Sequence, residues 1–298
     1  MIPEQPDPPA AVAPATNSPP TDSPTPAAIR AELDASYALP AGQLAFYREH
    51  GYVHLRQVFS PELLAWYGAE ISRQVRRLNT EHRPLAERDT YGRAFLQVMN
   101  LWRQSPRVEE FVRGRRLARL AAELCGAAGV RLYHDQALYK EAGGGITPWH
   151  ADQYYWPLDS DRTLTAWIPL QATPLEMGPL AFAPGSQRMT QGRDLEIGDE
   201  SEARLERWLE DYAFEERAFA LGDVSFHSGW TYHRAGENRS GRPREVMTII
   251  YMDRDIRLTA PKNRHQQADH AAWLPGVQVG AVAASPLNPE LFPAGENG

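Results

Sequence analysis

The sequence changes texture once, at Gly129, and that change restricts the possible folds more than any other feature. Before it, apolar residues recur at helical spacing. After it come the short segments VRLYHDQALYKE, TLTAWIPLQAT, GPLAFAP, DVSFHS and EVMTIIYMD, rich in β-branched and aromatic residues and bounded by Gly, Pro or Asp. These are strand signals with turn punctuation. No long helices alternate with them, which disfavours a doubly wound parallel sheet. Helices first and many short strands after predict an α+β chain whose strand part is a sandwich or barrel. One charged stretch, Asp194 to Glu216, interrupts the strands, and SEARLERWLEDYAFEER within it predicts a surface helix.

The helical part can be read in more detail. GQLAFYREHGYVHLRQVF predicts a helix stopped by Gly51 and then a short strand, with Leu44, Phe46 and Tyr47 near one helix face. SPELLAWYGAEISRQVRRLN predicts a second helix, with Ser60 as cap, Pro61 at its first position and Glu62 in its first turn. RVEEFVRGRRLARLAAELCGA contains a third, with Leu117, Leu120, Ala121 and Leu124 at helical spacing. Residues 1–37 differ from all of this. Nine of the 25 prolines fall in the first 26 residues, among Ala, Ser and Thr. Such a segment has little apolar area to offset its ordering entropy. Residues 1–37 are therefore expected to be a disordered tail, and 38–298 a single domain.

Charge and cysteine content narrow the function. The net charge of −7 disfavours a nucleic-acid partner, which would select a basic surplus. Cys125 is the one cysteine, so neither an intrachain disulfide nor a cysteine-ligated metal cluster can form. No stretch approaches the roughly 18–20 apolar residues of a membrane helix. The N-terminus has no basic leader and its apolar residues are broken by prolines. A cytoplasmic protein with no membrane partner is the expectation.

Nine histidines are scattered along the chain, and His50, His54, His82, His134, His265 and His270 read as ordinary surface or core residues. Two regions differ. In ITPWHADQYYWPLD, His150 and Asp152 are two apart and would project to one side of an extended strand. In GDVSFHSGWTYHRAGENRSGRPR, either His227 or His233 could complete a set of two histidines and one carboxylate. That set leaves positions open on a metal and is typical of non-haem Fe(II) oxygenases. Arg244 begins the next strand-like run, eleven residues after His233, and offers a planar fork to a carboxylate. Buried without a counter-anion it would be costly, so a carboxylate ligand is expected. Iron beside such an arginine suggests a 2-oxoacid cosubstrate.

Four segments taken together, LAFYREHGYVHLRQVFSPELL, TPWHADQYYWPLD, LTAWIPLQATPLEMGPLAFAPGSQR and GDVSFHSGWTYHRAGENRSGRPR, resemble the phytanoyl-CoA dioxygenase family of Fe(II)/2-oxoglutarate oxygenases in order and spacing, from about Gln43 to Asp253. The resemblance implies a double-stranded β-helix, the jelly-roll or cupin-like barrel, flanked by helices. It implies Fe(II), 2-oxoglutarate and O₂, with His150, Asp152 and His233 as metal ligands and His227 as a neighbour of the ligands. It implies that Arg244 binds 2-oxoglutarate, that Trp167 packs beside it, and that Gln136 is a further cosubstrate contact. Lys140 reads equally as a nearby charge or a solvated lysine. The activity implied is hydroxylation of a small-molecule metabolite with release of succinate and CO₂.

The sequence also departs from the family. A serine is common two residues after the distal histidine, and here that position is Ala235. The lost hydrogen bond is worth about 0.5–1.5 kcal/mol. Asp152 fills the position that a halide would need, which favours hydroxylation or another oxidative outcome over halogenation. Gln153, Tyr154, Tyr155, Trp156 and Trp230 could line a substrate pocket or simply pack the barrel. Arg73, Arg76 and Arg77, and Arg113, Arg115 and Arg116, could meet CoA phosphates, although solvated helix faces explain them as well. The charged insert around Arg204 to Glu216 and the chain after Arg254 could act as lids. A metal-binding jelly-roll without oxygenase activity, or a degenerate binding module, is the alternative reading. Arg244 with Trp167 argues against the first and an intact ligand set against the second.

Overall fold

Every pairing between named strands among the described residues is antiparallel, as expected of short strands joined by turns rather than by crossover helices. The structure is a computed structural model that describes residues 24–293. In chain order the elements are α1 (Pro26–Asp34), α2 (Gln43–His50), β1 (Tyr52–Leu55), α3 (Pro61–Leu78), α4 (Thr90–Ala94), β2 (Leu96–Met99), α5 (Pro106–Val112), α6 (Arg115–Cys125), β3 (Val130–Tyr139), β4 (Thr147–His150) and β5 (Thr163–Pro169). They continue with β6 (Leu180–Phe182), α7 (Asp199–Trp208), β7 (Glu215–Glu216), β8 (Val224–Ser228), β9 (His233–Ala235), β10 (Val246–Asp253), α8 (Arg264–Trp273) and β11 (Glu290–Phe292).

The strands form two sheets. The larger runs β1-β8-β5-β10-β3-β11, with β2 also on β3, and the smaller runs β4-β9-β6-β7. Their inner faces meet: Tyr52, Trp167 and Val246 of the large sheet pack with Leu180, Phe182 and Ala235 of the small one. This is the jelly-roll expected, with helices on the outer face of the large sheet. There Leu63, Ile71, Leu117 and Leu124 of α3 and α6 pack against Leu132, Ala166 and Ile249. No helix among the described residues is long and apolar enough to cross a membrane.

Local signals account for the early elements. Gly51 ends α2 at φ 78°, and a side chain there would collide with Thr231 and Gln187, so only glycine fits. Ser60 caps α3 by accepting from the Leu63 N–H at 3.2 Å. The third helix is two, α5 and α6, broken at Gly114. There Leu33 of α1 lies so close that a Cβ would come within 3.2 Å of it.

That contact corrects the reading of the tail. Residues 1–23 lie outside the described residues, but Pro26–Asp34 is a helix capped by Thr25, with Ile29 and Leu33 buried. Its Glu32 accepts from the Ser60 N–H at 2.7 Å and from the Arg116 guanidinium at 3.2 Å. Proline density hid a short amphipathic turn whose two apolar residues find a groove.

One irregularity positions the site. The pairing of β3 with β10 shifts between Ile250 and Tyr251, leaving Tyr133 as an extra residue. On the helix side of the slip lie Val130 and Leu132, and beyond it Ala137 and Tyr139. Beyond the slip, His134, Gln136 and Leu138 therefore face the inside of the barrel, where unbroken alternation from Leu132 would have turned them outward.

Candidate metal centre

His150 ends β4, Ala151 stays extended at φ −126°, and Asp152 starts a short 3-10 turn, so the pair projects to one side as the spacing required. Strand β9 pairs with β4 so that His233 lies directly opposite His150. Two ring nitrogens and a carboxylate oxygen meet as a result: His150 Nε2 and His233 Nε2 are each 3.7 Å from Asp152 Oδ1, within the spread that one metal ion can bridge.

Each donor is oriented. His150 Nδ1 lies 2.8 Å from the Pro148 carbonyl and His233 Nδ1 3.0 Å from that of Thr231. A proton held on Nδ1 leaves the Nε2 lone pair free, the arrangement found in metal-ligating histidines. Burial, then the neighbouring imidazole, pushes both rings down to about 4, so they are neutral. Burial alone would raise the Asp152 carboxyl. The surrounding imidazoles, His233 foremost, hold it well below the usual carboxylate range. Its second oxygen, Oδ2, accepts from Thr165 Oγ1 at 2.8 Å and lies 3.2 Å from His227 Nε2. His227 thus grips the back of the carboxylate while His150 and His233 share its front.

A cavity of about 530 Å³ opens beside these residues. Its floor is the inner face of the large sheet, where two rows run across paired strands. Thr165, Ile250 and His134 form one, and Trp167, Thr248 and Gln136 the next. At the second row, Arg244 is 1% exposed. Its guanidinium sits 5.4 Å over the Trp167 ring and donates to the Gly178 carbonyl, while its Nε has no partner. No carboxylate among the described residues pairs with it, and burial pulls it down to about 9. Lys140 is buried close by, its ammonium donating to the Gly145 carbonyl and 3.4 Å from Thr147 Oγ1. Burial, then Arg244, pushes it down to about 6. A buried guanidinium without a carboxylate, beside an amine that burial keeps largely unprotonated, makes a seat for an anion. Ala235, where a serine was expected, lies directly opposite Thr147 across the strand pair, so a hydroxyl is present on the facing strand. Thr147 escaped notice because its relevance depends on register.

The other candidates divide. Gln136 lines the cavity and accepts from Gln97 Nε2 at 2.6 Å. Tyr155 and Trp156 line it. Gln153 instead accepts from Thr163 and donates to the Ser160 carbonyl, Tyr154 supports α8 through its carbonyl, and Trp230 stacks under Arg193. None of the six clustered arginines lines the cavity. Arg73 is paired with Glu70, Arg113 with Glu109 and Arg116 with Glu32, as solvated or structural helix faces would be. His134 and His265, read as ordinary, do line it. Of the two regions read as lids, the chain after Arg254 reaches the exposed end through Arg264, His265 and Asp269, whereas no residue from Arg204 to Glu216 lines the cavity; Glu196, ahead of that stretch, binds Arg264 at 2.9 Å and also His265.

The comparisons agree with this geometry. The phytanoyl-CoA dioxygenase family profile matches residues 47–246. The chain is 27% identical over 244 residues to an ectoine dioxygenase of Bordetella parapertussis, covering 76% of this chain and 79% of that one. It is 27% identical over 154 residues to a probable alpha-ketoglutarate-dependent hypophosphite dioxygenase of Stutzerimonas stutzeri, covering 50% and 54%. Among solved structures, the epimerase SnoN of nogalamycin biosynthesis, in complex with Fe³⁺, alpha ketoglutarate and nogalamycin RO, superposes with a TM-score of 0.69 at 27% identity, over 84% of this chain and 97% of that one. The non-heme alpha ketoglutarate dependent carbocyclase SnoK gives 0.70 at 25% identity, over 85% and 96%. With its barrel, its convergent histidines and carboxylate, and a family match across most of its length, the chain belongs to the phytanoyl-CoA dioxygenase family of Fe(II)- and 2-oxoglutarate-dependent oxygenases.

Proposed function

We propose that His150, Asp152 and His233 hold Fe(II), that Arg244 holds the far carboxylate of 2-oxoglutarate, and that the enzyme hydroxylates a C–H bond of a small-molecule metabolite in the cytoplasm. The observation that carries this reading is the buried, anion-less Arg244 beside three convergent metal donors. A zinc hydrolase or isomerase would need the donors but not the clamp. Iron and 2-oxoglutarate, when bound, supply the oxidising chemistry, consuming O₂ and yielding succinate and CO₂.

The chain's own residues do the rest. His150 and His233 present neutral Nε2 atoms because two backbone carbonyls fix their tautomers. Thr165 and His227 turn the Asp152 carboxylate so that one oxygen faces the histidines. Arg244 fixes a carboxylate by a two-pronged contact, and Lys140, behind Thr147, takes up a proton when the anion is bound. Trp167, Leu180 and Ala235 keep that end of the cavity dry, which strengthens each electrostatic contact. The substrate occupies the opposite end, against Tyr155, Trp156 and His134.

The test is anaerobic. Adding Fe(II) and then 2-oxoglutarate to the pure protein should produce a visible charge-transfer band from the chelated keto acid. Bound iron without that band would support a metal-binding barrel of other chemistry, and no bound iron would mean the donors were misassigned. The Arg244→Ala variant should bind iron as before but need far more 2-oxoglutarate to form the band; equal effects on both would refute the clamp.

A further inference from the structure

Helix α8 is built unlike the others. Its residues His265, Asp269 and Trp273 are spaced by four and so share one face. The first two line the cavity, and Trp273 packs on the His134 ring at 5.1 Å. A helix that closes a cavity ordinarily turns an apolar stripe inward. This one turns in a carboxylate.

Four carboxylates line the cavity, Asp89, Asp152, Glu196 and Asp269, and three have an evident task. Asp152 faces the histidines. Asp89 caps α4 by accepting from the Gly92 N–H at 2.7 Å. Glu196 is held by Arg264 and His265. Asp269 remains. Its Oδ2 accepts from the Tyr133 hydroxyl at 2.9 Å and it also accepts from Trp273, but among the described residues no cation pairs with it. Two neutral donors orient the group without neutralising it. Burial raises its carboxyl to about 7 despite both bonds, and a positive charge brought alongside would draw it back to the ionised form. His134, on whose ring Trp273 packs, is pushed down to about 4 by its own burial and carries no charge, and His265 is engaged by Glu196. The walls around this end are aromatic, with Tyr91, Phe95, Tyr155 and Trp156, and ring faces attract cations. One of the two donors to Asp269 is Tyr133, the extra residue at the β3 slip, so the irregularity that turns His134 inward also supports the carboxylate.

We propose that Asp269 is the substrate's anchor and that the substrate carries a protonated amine, which donates to the Asp269 carboxylate and lies among the aromatic walls. This rests on the oxygenase reading of the same cavity. It places the amine at the end away from Arg244, so the two ends select opposite charges: an anion for the cosubstrate and a cation for the substrate.

The test uses benzylamine and benzyl alcohol, alike in shape and different in charge, titrated into the Fe(II)- and 2-oxoglutarate-loaded protein without oxygen and followed by tryptophan fluorescence. The amine should bind more tightly by on the order of tenfold, the worth of one charge-assisted hydrogen bond. Asp269→Asn should abolish the preference and Asp269→Glu should keep it, with the 2-oxoglutarate band intact in both as the sign of a folded centre. Equal binding of the two probes, no binding of the amine, or a preference that survives Asp269→Asn overturns the proposal. A missing band with the amine preference intact would instead break the reading of the metal centre and leave the amine site standing.

Discussion

Asp152 is the residue on which most depends, because its two oxygens have separate partners. Asp152→Ala should release iron and abolish succinate formation, as measured by metal analysis and turnover. His227→Ala should do less. It removes a partner of Oδ2 and not a donor, so iron should still bind, weaker by about 10–100-fold; complete loss of iron in that variant alone would exchange the roles of His227 and His233. Lys140 gives a pH dependence. Its ammonium sits at about 6 in the folded protein, and a dianion bound beside it would recharge it. Binding then takes up a proton, so 2-oxoglutarate affinity should fall as pH rises from about 6 through the alkaline range, and Lys140→Met should flatten the slope. His150, Asp152 and Arg244 could be singled out by their spacing, and the roles proposed for them came with the family resemblance. Lys140 had two open readings, and Thr147, His134 and Asp269 were not singled out. Thr147 matters because it faces Ala235 across a strand pair, and His134 because of a slip in another pair. Neither shows in a single strand.

At the scale of elements, the strand that carries His150 is clamped from outside. In α7, Glu202 accepts from the Trp149 N–H at 2.5 Å and from Arg234 at 3.2 Å, and Ser201 donates to the Trp149 carbonyl at 3.1 Å. The charged insert is thus the outer brace of β4, which explains its helix spacing and its acidic start. Glu202→Ala strands the Trp149 N–H, a loss of about 1–3 kcal/mol, and lets β4 shift. Thermal melting should fall and iron affinity fall with it; a lower melting point with unchanged iron binding would show that the centre does not depend on the brace. Helices α2 and α3 could be read from caps and periodicity; the helix expected over SEARLERWLEDYAFEER stops at Trp208, because Glu215 and Glu216 pair with β6 instead. The break between α5 and α6 could not, because it is set by Leu33 of a distant segment.

Across the whole molecule, the barrel has two working faces. The outer face of the large sheet takes the helices and most of the apolar core. The inner face takes the cavity. This division keeps the arginine clusters of α3, α5 and α6 away from the cavity, and it makes α1 part of the core rather than an appendage. Full burial of an aliphatic side chain is worth about 1.5–3 kcal/mol, and α1 buries Ile29 and Leu33. A chain beginning at Tyr37 should therefore melt several degrees below one beginning at Pro24, at roughly 2–4 °C per kcal/mol; equal melting points would show that α1 contributes nothing. The cavity's two ends also impose a sequence of loading. Arg244 lies at the sealed floor, whereas Glu196 and Arg264 at the other end are open to solvent, with side chains 46% and 76% exposed. A molecule seated at the open end blocks the way down. 2-Oxoglutarate must then arrive first and succinate leave last, so substrate in excess should act as an inhibitor competitive with 2-oxoglutarate. Initial-rate measurements at crossed concentrations will show that pattern or replace it with random order.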